Sequence, residues 1–175
     1  HAASGNANFG YLTGGQPGST RSFRIDYAND NVQASPKGSM NVERRDHGQT
    51  GSSSFGYAAA GRGPSYPSGM TLTDRIDYAN DTNTASPKGS LPRSVYWLGA
   101  VSAKNNGLPE APIPLSRVEG SKTVDKGSDG FFTSETSSSG PAYGYFAGGT
   151  EGFPTPSGFT TVDRIDYAND TNTAI

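Results

Sequence analysis

The sequence predicts an all-β fold in which one small unit is used several times. Three observations support this prediction: a nearly verbatim repeat, a strand-like alternation inside it, and many turn residues. The repeated phrase reads SFRIDYANDNVQASPKGSM from Ser22, TDRIDYANDTNTASPKGSL from Thr73 and VDRIDYANDTNTAI from Val162. We therefore expect the function to belong to a repeat array rather than to a single site.

An aromatic-Gly-Tyr run precedes each copy of the phrase, starting at Phe9, Phe55 and Tyr143. These runs predict strands over residues 8–12, 54–58 and 142–146. A patch of small residues or glycines follows each run, and glycine allows tight turns or close backbone approach. The loop after this patch varies between copies, as surface connections do.

The phrase itself begins with a strand. In the segment from Phe23 to Tyr27 the apolar residues fall on every second position, which is the period of a β-strand. The Asn29-Asp30 pair that follows is typical of a turn closed by side-chain bonds to the backbone.

Proline breaks the next predicted strand, over residues 34–39 and 85–90, which suits an outer edge strand. Residues 93–100 would then form the inner strand of the following unit. Four short antiparallel strands per unit, repeated radially, predict a β-propeller.

A degenerate further copy is expected at Thr123-Val124-Asp125-Lys126, because the step from Phe23 to Asp74 to Asp125 is about 51 residues each time. The chain is thus predicted to be a single repeat domain over 1–175 with about four blades, of which the third is degenerate. The approximate units are 1–43, 44–92, 93–135 and 136–175. The alternative is a β-repeat fibre or solenoid completed by oligomerisation.

Composition narrows the classes of partner. The 175 residues are 31% hydrophobic, with 24 Gly, 12 Pro and no Cys, as expected for short strands between many turns. A net charge of −2 gives no electrostatic case for binding nucleic acid or an anionic membrane. No apolar run approaches the length of a membrane-spanning helix.

The order of these features resembles the kelch repeat: an apolar strand, a glycine doublet (Gly14-Gly15, Gly148-Gly149), a variable loop and the Asp-Arg-Ile-Asp-Tyr strand. It departs from that pattern at Ala85 and Ala174, where kelch repeats usually place a tryptophan, and at Ala60-Gly61. The sequence of the repeated phrase is also similar to repeat tracts in structural, tail-fibre-like proteins of marine and cyanobacterial bacteriophages. This resemblance implies a virion or extracellular location.

An arginine and an aspartate two residues apart recur on one face of the phrase strand. Since unpaired buried charge is costly, we expect these residues to form ion pairs between blades rather than a ligand site. The predicted pairs are Arg24/Asp26, Arg75/Asp77 and Arg164/Asp166.

No catalytic residue, cofactor or metal site is predicted. Asp77, Asn80 and Asp81 offer oxygens that calcium could use, but they lack the spacing of a recognised calcium loop, so turn closure is favoured. His47 is expected to have a packing or loop role, and no serine lies in a nucleophile elbow.

The variable loops carry the candidate ligand-binding residues. Tyr66, Phe153 and Phe159 lie in loops that prolines stiffen, and rigid aromatic rings suit a sugar face or a partner protein. The competing interpretation is that these rings fold back over the blade edge.

The leading functional hypothesis is a non-catalytic structural or interaction module of a virion appendage or other extracellular assembly. Its expected partners are other structural chains of the same assembly, further copies of itself and host-surface glycan, with no nucleic acid and no membrane insertion. The alternatives are a free lectin-like glycan-binding propeller and, less favoured, a propeller enzyme acting on polysaccharide.

Overall fold

The computed structural model describes residues 1–102, 143–152 and 157–175, and within these ranges the protein is all-β. The predicted further copy at 123–126 lies outside the described residues. No helix in the described ranges is long and apolar enough to cross a membrane.

Two four-stranded antiparallel meanders form the first two units. The first sheet contains β1 (Ala2–Gly5), β2 (Phe9–Thr13), β3 (Ser22–Asp26) and β4 (Ser35–Lys37) in that order. The second contains β5 (Gly48–Gly51), β6 (Phe55–Ala59), β7 (Thr73–Asp77) and β8 (Ser86–Lys88). The predicted strands of the aromatic-Gly-Tyr runs and of the repeated phrase are confirmed in both.

The third unit repeats the arrangement with parts that are far apart in sequence. Its sheet has the order β9 (Gly99–Ser102), β10 (Tyr143–Ala147), β13 (Val162–Asp166). A small hairpin of β11 (Thr150–Glu151) and β12 (Ser157–Gly158) lies in the connecting loop. Strands placed by the sequence in two predicted units, 93–135 and 136–175, therefore share one sheet.

The first strand of the third unit lies later than predicted. Residues 93–100 were expected to form it, but the strand begins at Gly99. Trp97 has a φ of 57°, and Asp46, at the same position in the second unit, has a φ of 56°. A left-handed residue interrupts an extended strand, so the chain bends before β5 and again before β9.

The hydrophobic core lies between units rather than inside them. One cluster joins Tyr11 of the first unit to Ile76, Tyr78 and Ala85 of the second. A larger cluster joins the second and third units through Tyr57, Ala59, Ala60, Leu91, Val95, Leu98, Phe146, Ile165 and Ala174. Each sheet therefore depends on its neighbour for burial, as in other repeat proteins. The described strands do not close into a propeller ring.

Candidate functional site

Asp81 of the second unit is held by three side chains of the first unit. Its Oδ2 accepts hydrogen bonds from Tyr11 Oη at 2.8 Å and from Arg24 Nη1 at 2.7 Å. Lys37 Nζ lies 3.2 Å from Oδ1. We call this set of one tyrosine, one arginine and one lysine the cradle.

The same cradle occurs between the second and third units. Asp170 Oδ2 accepts from Tyr57 Oη at 2.9 Å and from Arg75 Nη1 at 2.7 Å, and Lys88 Nζ lies 3.3 Å from Oδ1. The two cradles match contact for contact. The repeat therefore encodes an interface as well as a fold.

Strand register places the cradle residues together. Tyr11 on β2 is directly opposite Arg24 on β3, and Tyr57 on β6 is opposite Arg75 on β7. The arginine also lies over an aromatic ring of its own unit, with Arg24 Cζ 4.2 Å from the centre of the Phe9 ring. This cation-π contact helps to hold the guanidinium in the position from which it binds the carboxylate.

A short 3-10 turn positions the aspartate that the cradle binds. Tyr78–Asn80 forms this turn, and Asp81 follows it as the C-terminal cap. The ring of Tyr78 stacks on that of Tyr11 with centroids 4.5 Å apart, and Tyr167 stacks on Tyr57 at 4.8 Å. Each interface thus combines one charge cluster with one aromatic stack.

Backbone hydrogen bonds complete the interface. Gly38 N donates to Asp81 O at 2.8 Å, and Gly89 N donates to Asp170 O at 2.7 Å. A Cβ at Gly38 would lie 1.8 Å from the carbonyl oxygen of Asn83, so only glycine allows this approach.

Burial and bonding act in opposite directions on the pKa of Asp81. Burial disfavours the carboxylate, but hydrogen bonds from Tyr11, Lys37 and Arg24 outweigh it and hold the pKa below its usual value. Burial, together with the neighbouring Asp81 carboxylate, raises the pKa of Tyr11, so its hydroxyl stays protonated and donates. The first cradle thus favours the charged form of Asp81.

The predicted Arg/Asp pairs require a correction. Arg24 and Arg75 do form ion pairs between units, but their partners are Asp81 and Asp170. The aspartates two residues after the arginines, Asp26, Asp77 and Asp166, each accept a hydrogen bond from the backbone N–H two residues further on. A short carboxylate at the start of a turn reaches its own backbone more readily than a neighbouring sheet. Arg164 has no carboxylate partner among the described residues.

The proposed loop aromatics have different environments. Tyr66 is 39% exposed. Phe159 is partly buried against the larger core cluster, and Arg93 lies over its ring with Cζ 5.1 Å from the centroid. Phe153 lies outside the described residues. Of the two described residues, Tyr66 is exposed and Phe159 folds back onto the core.

His47 is buried between the first and second units. Its Nε2 is 2.9 Å from Thr13 Oγ1, which itself donates to Gln49, so Nε2 carries the proton. Burial, with a further contribution from Arg44, lowers the pKa of His47 to about 3. A neutral histidine with this environment has the packing role expected from the sequence.

Metal-ligand clusters are not found in the described ranges. The oxygens considered for calcium have other partners: Asp81 lies in the cradle, and Asp77 bonds Ala79 N and the Asn80 amide.

Sequence reasoning missed the tyrosine and the lysine of the cradle, and also the aspartate that the cradle binds. Their signal was present, because the Tyr of the aromatic-Gly-Tyr run and the last Asp of Tyr-Ala-Asn-Asp occur in all three copies.

No protein-family model matches the chain, and no curated protein matches it either.

Proposed function

We propose that this chain is a non-catalytic structural and interaction module of a repeat array, belonging to a virion appendage or another extracellular assembly. The observation that supports it is the cradle. The repeat carries arginine, lysine and aspartate side chains of the kind that catalytic sites use. Here they form ion pairs between one unit and the next, with N···O distances of 2.7–3.3 Å.

The finer fold that we propose is a kelch-like β-propeller of about four blades. Its support is the four-stranded meander of each complete unit and the contact between successive first strands, β1 with β5 and β5 with β9. Strands that share an axis in this way are typical of propeller blades. A fibre or solenoid completed by other copies is the alternative architecture.

Catalysis is tested by incubating the chain with a panel of surface polysaccharides and measuring new reducing ends. We expect none to form at any time point. Reducing ends that appear with the wild-type chain and disappear after a single carboxylate substitution would replace this proposal with a polysaccharide-acting enzyme.

Glycan binding through the loops is the second candidate, favoured by the exposure of Tyr66. The same glycans, immobilised, should lose binding to a Tyr66→Ala variant if this loop is the site. Trp97→Ala is the matched control, because Trp97 is also an exposed aromatic residue, at 57%, but lies outside that loop. Equal binding by wild type and Tyr66→Ala removes the loop from the proposal and leaves the structural role.

A further inference from the structure

The two halves of the repeated interface are also present, unjoined, at opposite ends of the described array. The first unit has the turn half, Tyr27 and Asp30, and the third unit has the cradle half, Tyr145 and Arg164. We call these the turn face and the cradle face. Inside the array the corresponding halves contact each other, at Tyr11–Asp81 and Tyr57–Asp170.

The turn face is exposed where its counterparts are buried. Tyr27 is 51% exposed, whereas Tyr78 is 7% exposed. Asp30 is exposed, whereas Asp81 and Asp170 are 8% and 6% exposed. The fold of the turn is nevertheless the same, because Tyr27–Asn29 and Tyr78–Asn80 form equivalent 3-10 turns with equivalent caps.

The cradle face shares two features with the occupied cradles. Tyr145 is directly opposite Arg164 in the strand register, as Tyr11 is opposite Arg24. The Arg164 guanidinium lies over the Tyr143 ring at 4.5 Å, compared with 4.2 Å for Arg24 over Phe9. Such pre-organisation lowers the cost of binding a carboxylate.

We propose that the cradle face of one chain binds the turn face of a second copy of the same chain. Asp30 of one copy lies between Tyr145 and Arg164 of the other, and Tyr27 stacks on Tyr145. This inference rests on the structural-module proposal above, with its alternative architecture of an array completed by other copies, and names its partner. The contact joins two different faces, so it is heterologous and extends the array instead of closing a symmetric dimer.

One difference from the internal interfaces lowers its strength. Val101 stands where Ser4 and Thr50 form a hydrogen bond with the tyrosine hydroxyl of the next unit, so the contact between copies lacks that bond. The contact between copies is therefore weaker than the contacts within one chain.

The test is the mass of the 175-residue chain over a wide concentration range, measured by sedimentation velocity. We expect the mass to rise with concentration. Asp30→Asn and Arg164→Gln should each weaken self-association about 10- to 100-fold, which is the worth of one hydrogen bond to a charged group. Asp26→Asn is the control, because it removes the same charge from the same turn and asparagine still caps the turn.

A charge exchange makes the test specific. Chains with Asp30→Arg should not self-associate, nor should chains with Arg164→Asp. An equimolar mixture of the two should regain association, because the unchanged Arg164 of the first variant binds the unchanged Asp30 of the second and the two exchanged charges attract each other at the next contact. Wild-type chains that stay monomeric at every concentration would overturn the proposal, as would self-association that neither substitution weakens. A monomer whose melting temperature falls on Asp30→Asn also overturns it, since the turn face is then occupied within its own chain. None of these outcomes depends on a glycan, so they are separate from the binding and turnover assays above.

Discussion

Arg44 and Asp74 form an ion pair inside the protein, with Arg44 Nη2 2.9 Å from Asp74 Oδ2 and side-chain exposures of 0% and 1%. The guanidinium also donates to the carbonyl oxygens of Ala58, Ala60 and Leu72. Asp74 Oδ2 accepts from the backbone N–H groups of Asn41 and Val42. This pair anchors the chain that connects the first unit to the second.

We expect Asp74→Asn to destabilise the protein by about 3–5 kcal/mol, because it leaves a guanidinium in the core without a counter-charge. Asparagine keeps an oxygen for the two backbone donors, so the loss reports the charge. The measurement is the free energy of unfolding in urea. Asp46→Asn is the matched control: Asp46 pairs with Arg62 at 2.7 Å but is 24% exposed, so its loss should cost about 1 kcal/mol or less. Similar losses in both variants would contradict a special role for the buried pair.

The cradle predicts that the same substitution lowers stability at Asp81 but not at Asp30. Asp81→Asn removes the charge that Tyr11, Arg24 and Lys37 share, and we expect a loss of about 3 kcal/mol. Asp30→Asn makes the equivalent substitution in the turn of the first unit, where no described residue forms an ion pair with the aspartate. Thermal unfolding at low protein concentration should therefore show a lower melting temperature for Asp81→Asn alone. Equal melting temperatures would show that the cradle contributes little to stability.

Close approach at Gly38 gives a third prediction. Gly38→Ala places a Cβ against the Asn83 carbonyl of the next unit, and Gly89→Ala does the same at Asn172. Overpacking of this kind costs about 1–3 kcal/mol, and here it acts on the interface between units. Gly99→Ala is the control, because nothing lies within 4 Å of its Cβ position. If urea unfolding gave the same free energy for Gly38→Ala and Gly99→Ala, the units would be less tightly joined than the structure indicates.

The fold could be predicted where the residues carry a clear pattern. The strand from Phe23 follows from apolar alternation, and β3, β7 and β13 all lie where it was expected. The glycine patches do adopt left-handed backbone, with φ of 66° at both Gly14 and Gly148. Ala60 has a φ of 59° at the same position, so the departure from the glycine doublet changes the residue but not the conformation.

The first strand of each unit could not be predicted in this way. β1 reads Ala-Ala-Ser-Gly and β5 reads Gly-Gln-Thr-Gly, which are weak strand formers. Both are strands because they pair with the second strand of their own unit, and β5 is also fully buried whereas β1 is not; these contacts are not visible in a local pattern. The partner of each arginine was missed for the same reason, since Arg24 and Asp81 are 57 residues apart.

The buried histidine gives a prediction about pH. The pKa of His47 is lowered to about 3 in the folded protein, whereas an unfolded histidine titrates near 6.5. Between these pH values the unfolded chain binds more protons than the folded protein does. The contribution of His47 to the free energy of unfolding is therefore fully present above about pH 6.5 and is lost as the pH falls toward 3. The free energy of unfolding should decrease by up to about 1.4 kcal/mol per pH unit in this window.

His47→Leu isolates this effect, because Leu98 fills the equivalent position of the third unit and is buried there. The variant should show a flatter dependence of the free energy of unfolding on pH between 6.5 and 4.5. That range lies above the titration of Asp81, whose lowered pKa removes stability only at more acidic pH. Stability curves that run parallel for wild type and His47→Leu would show that His47 is protonated without cost, and so that it is more accessible to solvent than its burial and its contact with Thr13 imply.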